Sequence, residues 1–215
     1  MRVATVDDLD AARETLARAF EHDPLWGWAF EDAERERKLA SLGAVFGFFV
    51  EAALDLGWVR VTDRVESVAL WVPPGSPEMS PADEERLPGV IETACGPESA
   101  ARVSELLGAF ERNHPHEPPH FYLSLLGTHP DHAGHGHGLG LVAHCLTEID
   151  AGDPPAAAFL ESSNQENVVR YERLGFRPTH ELELIAGLRG TQMWRGPGGS
   201  VPPVAHGSPD PRRRL

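Results

Sequence analysis

From residue 134 to residue 140 glycine takes every second position: Gly134, Gly136, Gly138 and Gly140 alternate with His135, His137 and Leu139. Few backbones need such a run. Closely spaced glycines let main-chain N–H groups converge on an anion that side chains would otherwise block. An apolar segment, HFYLSLLGTHP, precedes the loop, and a helical pattern, LGLVAHCLTEID, follows it. The helix brings free N–H groups and a positive dipole end to the same point. A second apolar segment, AAAFLE, and a short helix pattern, NQENVVRYERLGF, close the unit at Phe176. Strand, glycine loop, helix, strand, helix is a phosphate cradle, and a pyrophosphate is its natural guest.

The 215 residues predict one domain over 1–195 and a Gly/Pro-rich, disordered tail over 196–215. A formal charge of −14 argues against nucleic acid, which needs a Lys/Arg surface. That charge favours cationic small molecules by steering, or else serves only solubility. Cys95 and Cys145 form neither a metal spacing nor a disulfide framework, which suits a reducing cytoplasm. The N-terminal residues do not read as a signal peptide. The apolar stretch Leu39 to Leu56 is interrupted by Glu51 and Asp55 and is too short for a bilayer. A cytoplasmic monomer or homodimer with no membrane partner is expected.

In chain order, Arg2 to Val6 predicts a strand, and Asp7 or Asp8 caps a helix through about His22. Asp23-Pro24 ends it, and Leu25 to Phe30 reads as an aromatic connector, either pocket wall or core packing. A long helix over Glu34 to Leu56 stops at Gly57. Trp58 to Thr62 and Glu66 to Val72 form an antiparallel hairpin. Ser80-Pro81 marks a helix start, and Pro97 to Arg112 is helical.

Three phosphate motifs compete for the glycine loop. A Walker loop needs Gly-Lys, and the only lysine is Lys38. Gly138 to Ala143 has the GxGxxA form of a dinucleotide fingerprint, with Glu161 ending the next strand. That motif wants its first glycine directly after the strand, and HPDHAGHG intervenes. The third is the acyl-CoA loop of the GNAT acetyltransferase superfamily. Leu125 to Pro130 and then Ala133-Gly134-His135-Gly136-His137-Gly138 resemble its strand, proline and [Gln/Arg]-x-x-Gly-x-[Gly/Ala] loop. Asn167, Tyr171 and Leu174-Gly175-Phe176 resemble its downstream elements. EPPHFYL, GTHPDHAGHGHG, LESSNQEN and YERLGF are most similar to the branch typified by puromycin N-acetyltransferase.

The resemblance implies an α/β (α+β) fold: a mixed, mostly antiparallel central sheet, splayed at the acyl-CoA site and flanked by helices. It implies acetyl-CoA as co-substrate, an N-acetyltransferase, and a small, cationic primary amine as acceptor, antibiotic-type amines among them. Cofactor contacts fall on Leu126, Gly127 and Thr128, then Ala133, Gly134, His135, Gly136, His137, Gly138 and Leu139, with Asn167 and Tyr171. Tyr171 becomes the general acid for the leaving thiolate, and a main-chain N–H near Leu126, at a bulge permitted by Gly127, the oxyanion donor. Ala133 and His135 replace residues that are usually Gln or Arg and Lys or Arg, which predicts weaker CoA binding.

A base or relay must take the proton of an amine whose pKa is about 10. Alternation puts His120, Tyr122, Ser124 and Leu126 on one strand face, so His120, Tyr122 and, on the next strand, Glu161 are the candidates. Trp26, Trp28, Phe46 and Phe49 are candidates for the acceptor pocket. The histidines complete no convincing metal set, and no metal is expected. A non-catalytic acyl-CoA-binding module and a NAD-binding oxidoreductase are the competing readings.

Overall fold

The computed structural model describes residues 1–185 and 187–200. Its centre is a sheet of 7 strands in the order β1-β2-β3-β4-β5-β7-β6. The strands are β1 (Arg2–Val3), β2 (Val59–Val61), β3 (Ser67–Val72), β4 (His120–Thr128), β5 (Ala157–Ser162), β6 (Arg177–Ile185) and β7 (Leu188–Arg195). The helices are α1 (Leu9–Ala19), α2 (Pro24–Ala29), α3 (Arg35–Ala53), α4 (Pro81–Cys95), α5 (Pro97–Asn113), α6 (His137–Asp150) and α7 (Gln165–Glu172). Only β4 and β5 pair in parallel among the described strands; the other neighbours are antiparallel.

Helices cover both faces, and β3 shows how. Val68, Leu70 and Val72 pack into one core with α1 to α5, whereas Ala69 and Trp71 pack into a second with α6 and α7. A strand buried on both faces reads as a continuous apolar run, which is the sequence SVALWV. The 22-residue stretch Arg35–Leu56 is long enough to cross a membrane, contrary to the length expectation. Here it lies in the core, with Leu42, Val45 and Phe46 fully covered.

Several local expectations change. Leu25 to Phe30 is not an irregular connector: Pro24–Ala29 is a helix whose N-cap, Asp23, accepts from the N–H groups of Leu25 (2.9 Å) and Trp26 (3.2 Å). Asp8 precedes α1 but does not cap it. Its carboxylate turns back to the Thr5 N–H (2.8 Å) and takes both Arg2 guanidinium nitrogens (2.7 and 2.6 Å), which holds it near pKa 2. The β6–β7 hairpin has no counterpart in the sequence reading, although Leu182 and Leu184 alternate with Glu181 and Glu183. Gly196 to Ser200 forms a turn, with the Gly198 N–H on Asp150 (3.2 Å). The rest of the tail, 201–215, lies outside the described residues.

The central strand carries the largest correction. Leu70 faces Leu125 while Trp71 faces Leu123, so Ser124 is the extra residue of a bulge. The alternation of β4 therefore reverses at Ser124. Tyr122 packs with the α1–α5 core and Leu126 with the α6–α7 core, so the two do not share a face. Gly127 is not the bulge; it pairs regularly with Val68. Its missing side chain instead admits α1, because a Cβ there would lie 2.8 Å from Leu16 Cδ2 and 2.9 Å from Ala19 Cβ. Gly127→Ala is expected to force α1 off the sheet and lower stability by roughly 1–3 kcal/mol, readable by urea denaturation.

Candidate active site

Pairing between β4 and β5 covers only His120–Tyr122 against Ala157–Phe159. Beyond Tyr122 the strands diverge, and the main-chain groups of β4 on that side have no strand partner. The divergence opens a cavity of about 1400 Å³, more than one drug-sized ligand fills. It runs from the glycine loop, past β4 and β5, to a wall made by α4, α5 and the loop after β3.

At one end Gly134 and Gly136 take positive φ (81° and 80°), a conformation that suits glycine. Helix α6 then starts at His137 with no side-chain cap, which leaves its first N–H groups free. Gly138 permits the close approach of α6 to β4: a Cβ there would lie 2.7 Å from Thr128 Oγ1, itself 2.5 Å from Ser67 Oγ. The cradle therefore fits a pyrophosphate by its donor set and its lack of side chains. Gly138→Ala should push loop and strand apart and weaken CoA binding about tenfold, or ~1.4 kcal/mol, in calorimetric titration.

Leu126, Gly127, Thr128, Ala133, Gly134, Gly136, His137, Gly138, Leu139, Asn167 and Tyr171 all line the cavity, as does Glu161. His135 does not; its exposed ring turns back to the His132 carbonyl (3.3 Å). Arg170 and Arg173, which the loop motif does not include, reach the same cavity from α7 and its C-terminal end. They bring positive charge where Ala133 and His135 bring none. Arg170 also bonds Asn167 Oδ1 (2.8 Å), leaving the Asn167 amide nitrogen available. Among the described residues no three His, Cys, Asp or Glu side chains are grouped to hold a metal.

The candidates for proton transfer line the same cavity. Tyr171 is 8% exposed on α7, and burial raises its phenol above the usual tyrosine value, so it holds its proton at neutral pH. Glu161 lines the cavity from β5 and is pushed up to about 7, first by burial and further by the charge of Glu78. Tyr122 and Gln192 lie close enough to lower it, yet neither reaches hydrogen-bonding geometry, and both its oxygens are covered and unpartnered. Burial and the neighbouring carboxylates raise Tyr122 well above an ordinary phenol. Glu161 and Tyr122 keep some surface toward the cavity, so water there moderates the shifts and a ligand that expels it strengthens them.

His120 also lines the cavity, but its ring is poorly placed to act as a base. It is buried, its Nδ1 donates to the Pro118 carbonyl (2.7 Å), and its Nε2 faces His114 Nε2 at 3.3 Å. Both ring nitrogens are engaged, and His114 must be the donor between them. Burial lowers both histidines, His114 to about 4. Trp26, Phe46 and Phe49 reach the cavity only by small parts of otherwise buried side chains; Trp28 does not line it and packs half-buried against the core. Glu78 and His114 were hidden from the sequence, because they lie in a proline-rich loop and connector where no periodicity says which way a side chain points.

Comparison with known proteins agrees with this geometry. Residues 99–195 match the family model described as an acetyltransferase (GNAT) domain. The chain has the GNAT fold. A structure described as histone acetyltransferase HPA2 and related acetyltransferase, from Corynebacterium glutamicum ATCC 13032, superposes with a TM-score of 0.60. It is 23% identical, over 93% of this chain and 95% of that one. An agmatine N-acetyltransferase mutant gives 0.55 at 15% identity, over 90% and 96%. A Drosophila melanogaster polyamine N-acetyltransferase, described as catalysing the formation of N-acetylagmatine, gives 0.51 at 16%, over 90% and 96%. The matched GNAT segment begins within α5 and contains the glycine loop, Glu161 and Tyr171, whereas the likeness over β1 to α4 is one of fold.

Proposed function

We propose that the protein is an acetyl-CoA-dependent N-acetyltransferase that acts on a primary amine of a small cationic molecule, by direct attack in a ternary complex. One observation carries this reading: a single cavity holds an anion cradle, a proton-bearing Tyr171 and a carboxylate, Glu161, whose pKa lies near 7. A carboxylate poised at that value suits a general base at neutral pH. The motifs from Glu117 to Phe176 favour the puromycin N-acetyltransferase-like branch, with the amine acceptors named for the structural neighbours as further candidates.

Acetyl-CoA supplies an electrophilic thioester carbonyl. Free N–H groups at the start of α6 hold its phosphates, and Arg170 and Arg173 supply positive charge to the same cavity. The acceptor arrives as an ammonium and must lose a proton, which costs roughly 4 kcal/mol at pH 7 for a pKa near 10. Because both Glu161 oxygens are covered and the neighbouring Tyr122 lines the cavity, Tyr122 is the relay: once the ternary complex draws its hydroxyl into hydrogen-bonding range of Glu161, it takes the amine's proton as it hands its own to the carboxylate. The amine nitrogen then bonds to the carbonyl carbon, and an unpaired main-chain N–H of the splayed β4 stabilises the oxygen. When the carbon–sulfur bond breaks, Tyr171, which still holds its proton at neutral pH, gives it to the sulfur, and the phenolate it leaves takes up the second proton that the acylated nitrogen sheds. The products are the acetamide and free CoA thiol.

The dinucleotide reading loses its basis here. Gly138 and Gly140 lie within α6 rather than in a turn between strand and helix. The test is to titrate CoA and NAD separately by calorimetry, then to follow free thiol with acetyl-CoA and an amine panel. Micromolar CoA binding with amine-dependent thiol release is expected. CoA binding without thiol release would leave the acyl-CoA-binding module, and NAD binding alone would overturn both.

A further inference from the structure

Glu78 is a half-buried carboxylate that the proton path above does not use. It lies in the loop between β3 and α4, lines the cavity, and accepts a hydrogen bond from Ser124 through Oε1. The Ser124 bulge is what turns that hydroxyl toward the loop. Glu78 Oε2 has no hydrogen-bond partner among the described residues, yet it is not one of the covered oxygens, so it keeps surface toward the cavity. No arginine or lysine among the described residues forms an ion pair with either Glu78 or Glu161.

The cavity is thus divided by charge. Arg170 and Arg173 line it from α7 and its C-terminal end, and Glu78, Glu84, Glu111 and Glu161 line it from the loop after β3, α4, α5 and β5. Two carboxyl groups without an ion-pair partner among the described residues line one cavity, and neither Glu161 oxygen has a hydrogen-bond partner. Burial raises both carboxyl groups, and an acceptor with a single amine favours ionisation of only one of them. A second cationic nitrogen on the same molecule compensates both.

We infer that Glu78 is a specificity-determining residue that holds a second cationic nitrogen of the acceptor while the reacting amine sits at Tyr122. The substrate class is then a diamine or guanidinoalkylamine rather than a monoamine. This rests on the acetyltransferase reading given above.

The test compares straight-chain α,ω-diamines of three to six carbons with monoamines of equal length, in wild type, Glu78→Gln and Ser124→Ala. Thiol release gives kcat and KM, and thermal shift with each amine gives binding without turnover. In wild type the best diamine is expected to exceed its monoamine at least tenfold in kcat/KM, mainly through KM. Glu78→Gln should bring that ratio to within threefold of one, and Ser124→Ala, which keeps the carboxylate, should retain most of it. No diamine preference in wild type would overturn the inference, as would a Glu78→Gln loss that is equal for both amines and confined to kcat. Diamine protection that disappears in Glu78→Gln, with no thiol released by wild type, would support the subsite while sinking the transferase reading.

Discussion

Tyr171→Phe is expected to lower amine-dependent thiol release by about 10²–10³-fold, through kcat, with CoA affinity changed less than about threefold. The substitution removes one hydroxyl from a side chain that is otherwise packed beside Phe176 and among the α6–α7 core, so the fold should survive it. Burial raises the phenol, so the group is protonated across the whole neutral range and no alkaline limb is expected from it there. The loss should shrink with an acyl donor whose thiol is more acidic, because that leaving group needs less help. An undiminished loss with such a donor would make Tyr171 a packing residue.

Glu161→Gln has the second large effect, and two of its consequences oppose each other. As the proton acceptor Glu161 works only when ionised, so wild-type kcat/KM should rise with pH through about 7. Glu161→Gln should lose that limb and about 10²-fold or more in rate at pH 8. Tyr122→Phe should cost nearly as much, since it interrupts the same proton path. Stability moves the other way. The folded pKa of about 7 exceeds the unfolded value near 4.5, so the folded state binds more protons between these values. Stability therefore falls as pH rises from about 4.5 to 7. At 1.36 kcal/mol per unit the penalty is at most about 3.4 kcal/mol, and water in the cavity reduces it to roughly 1–2. Glu161→Gln should thus be the more stable protein at pH 8 and lose that advantage near pH 4, by urea denaturation at both values.

What the sequence makes legible follows from how each feature is encoded. The glycine loop and the strand–helix–strand order around it are local, so spacing and composition carry them, and the resemblance to the GNAT motifs carries Asn167 and Tyr171. The helices at Pro81 and Pro97 announce themselves by proline at the first helical position. The bulge at Ser124 does not, because it is a property of the pairing with β3, and it reverses the face of every residue after it. Alternation therefore places Tyr122 correctly and Leu126 incorrectly. His120 fails as a base for a similar reason: its partners, Pro118 O and His114, come from a connector without periodicity. Arg170 and Arg173 were open to a helix-face argument, since steps of three from Asn167 along α7 reach both of them. Glu78 had no such signal.

The central claim is that one cavity carries acetyl transfer, with Tyr171 supplying the proton to sulfur. It is tested most directly by mixing the protein with acetyl-CoA and an amine panel, and measuring free thiol and acetylated amine in the same sample. Equal amounts of thiol and acetylated amine from wild type, cut by about 10²-fold or more in Tyr171→Phe, are the predicted result. CoA binding without acetylated amine, or equal turnover by both proteins, would contradict it.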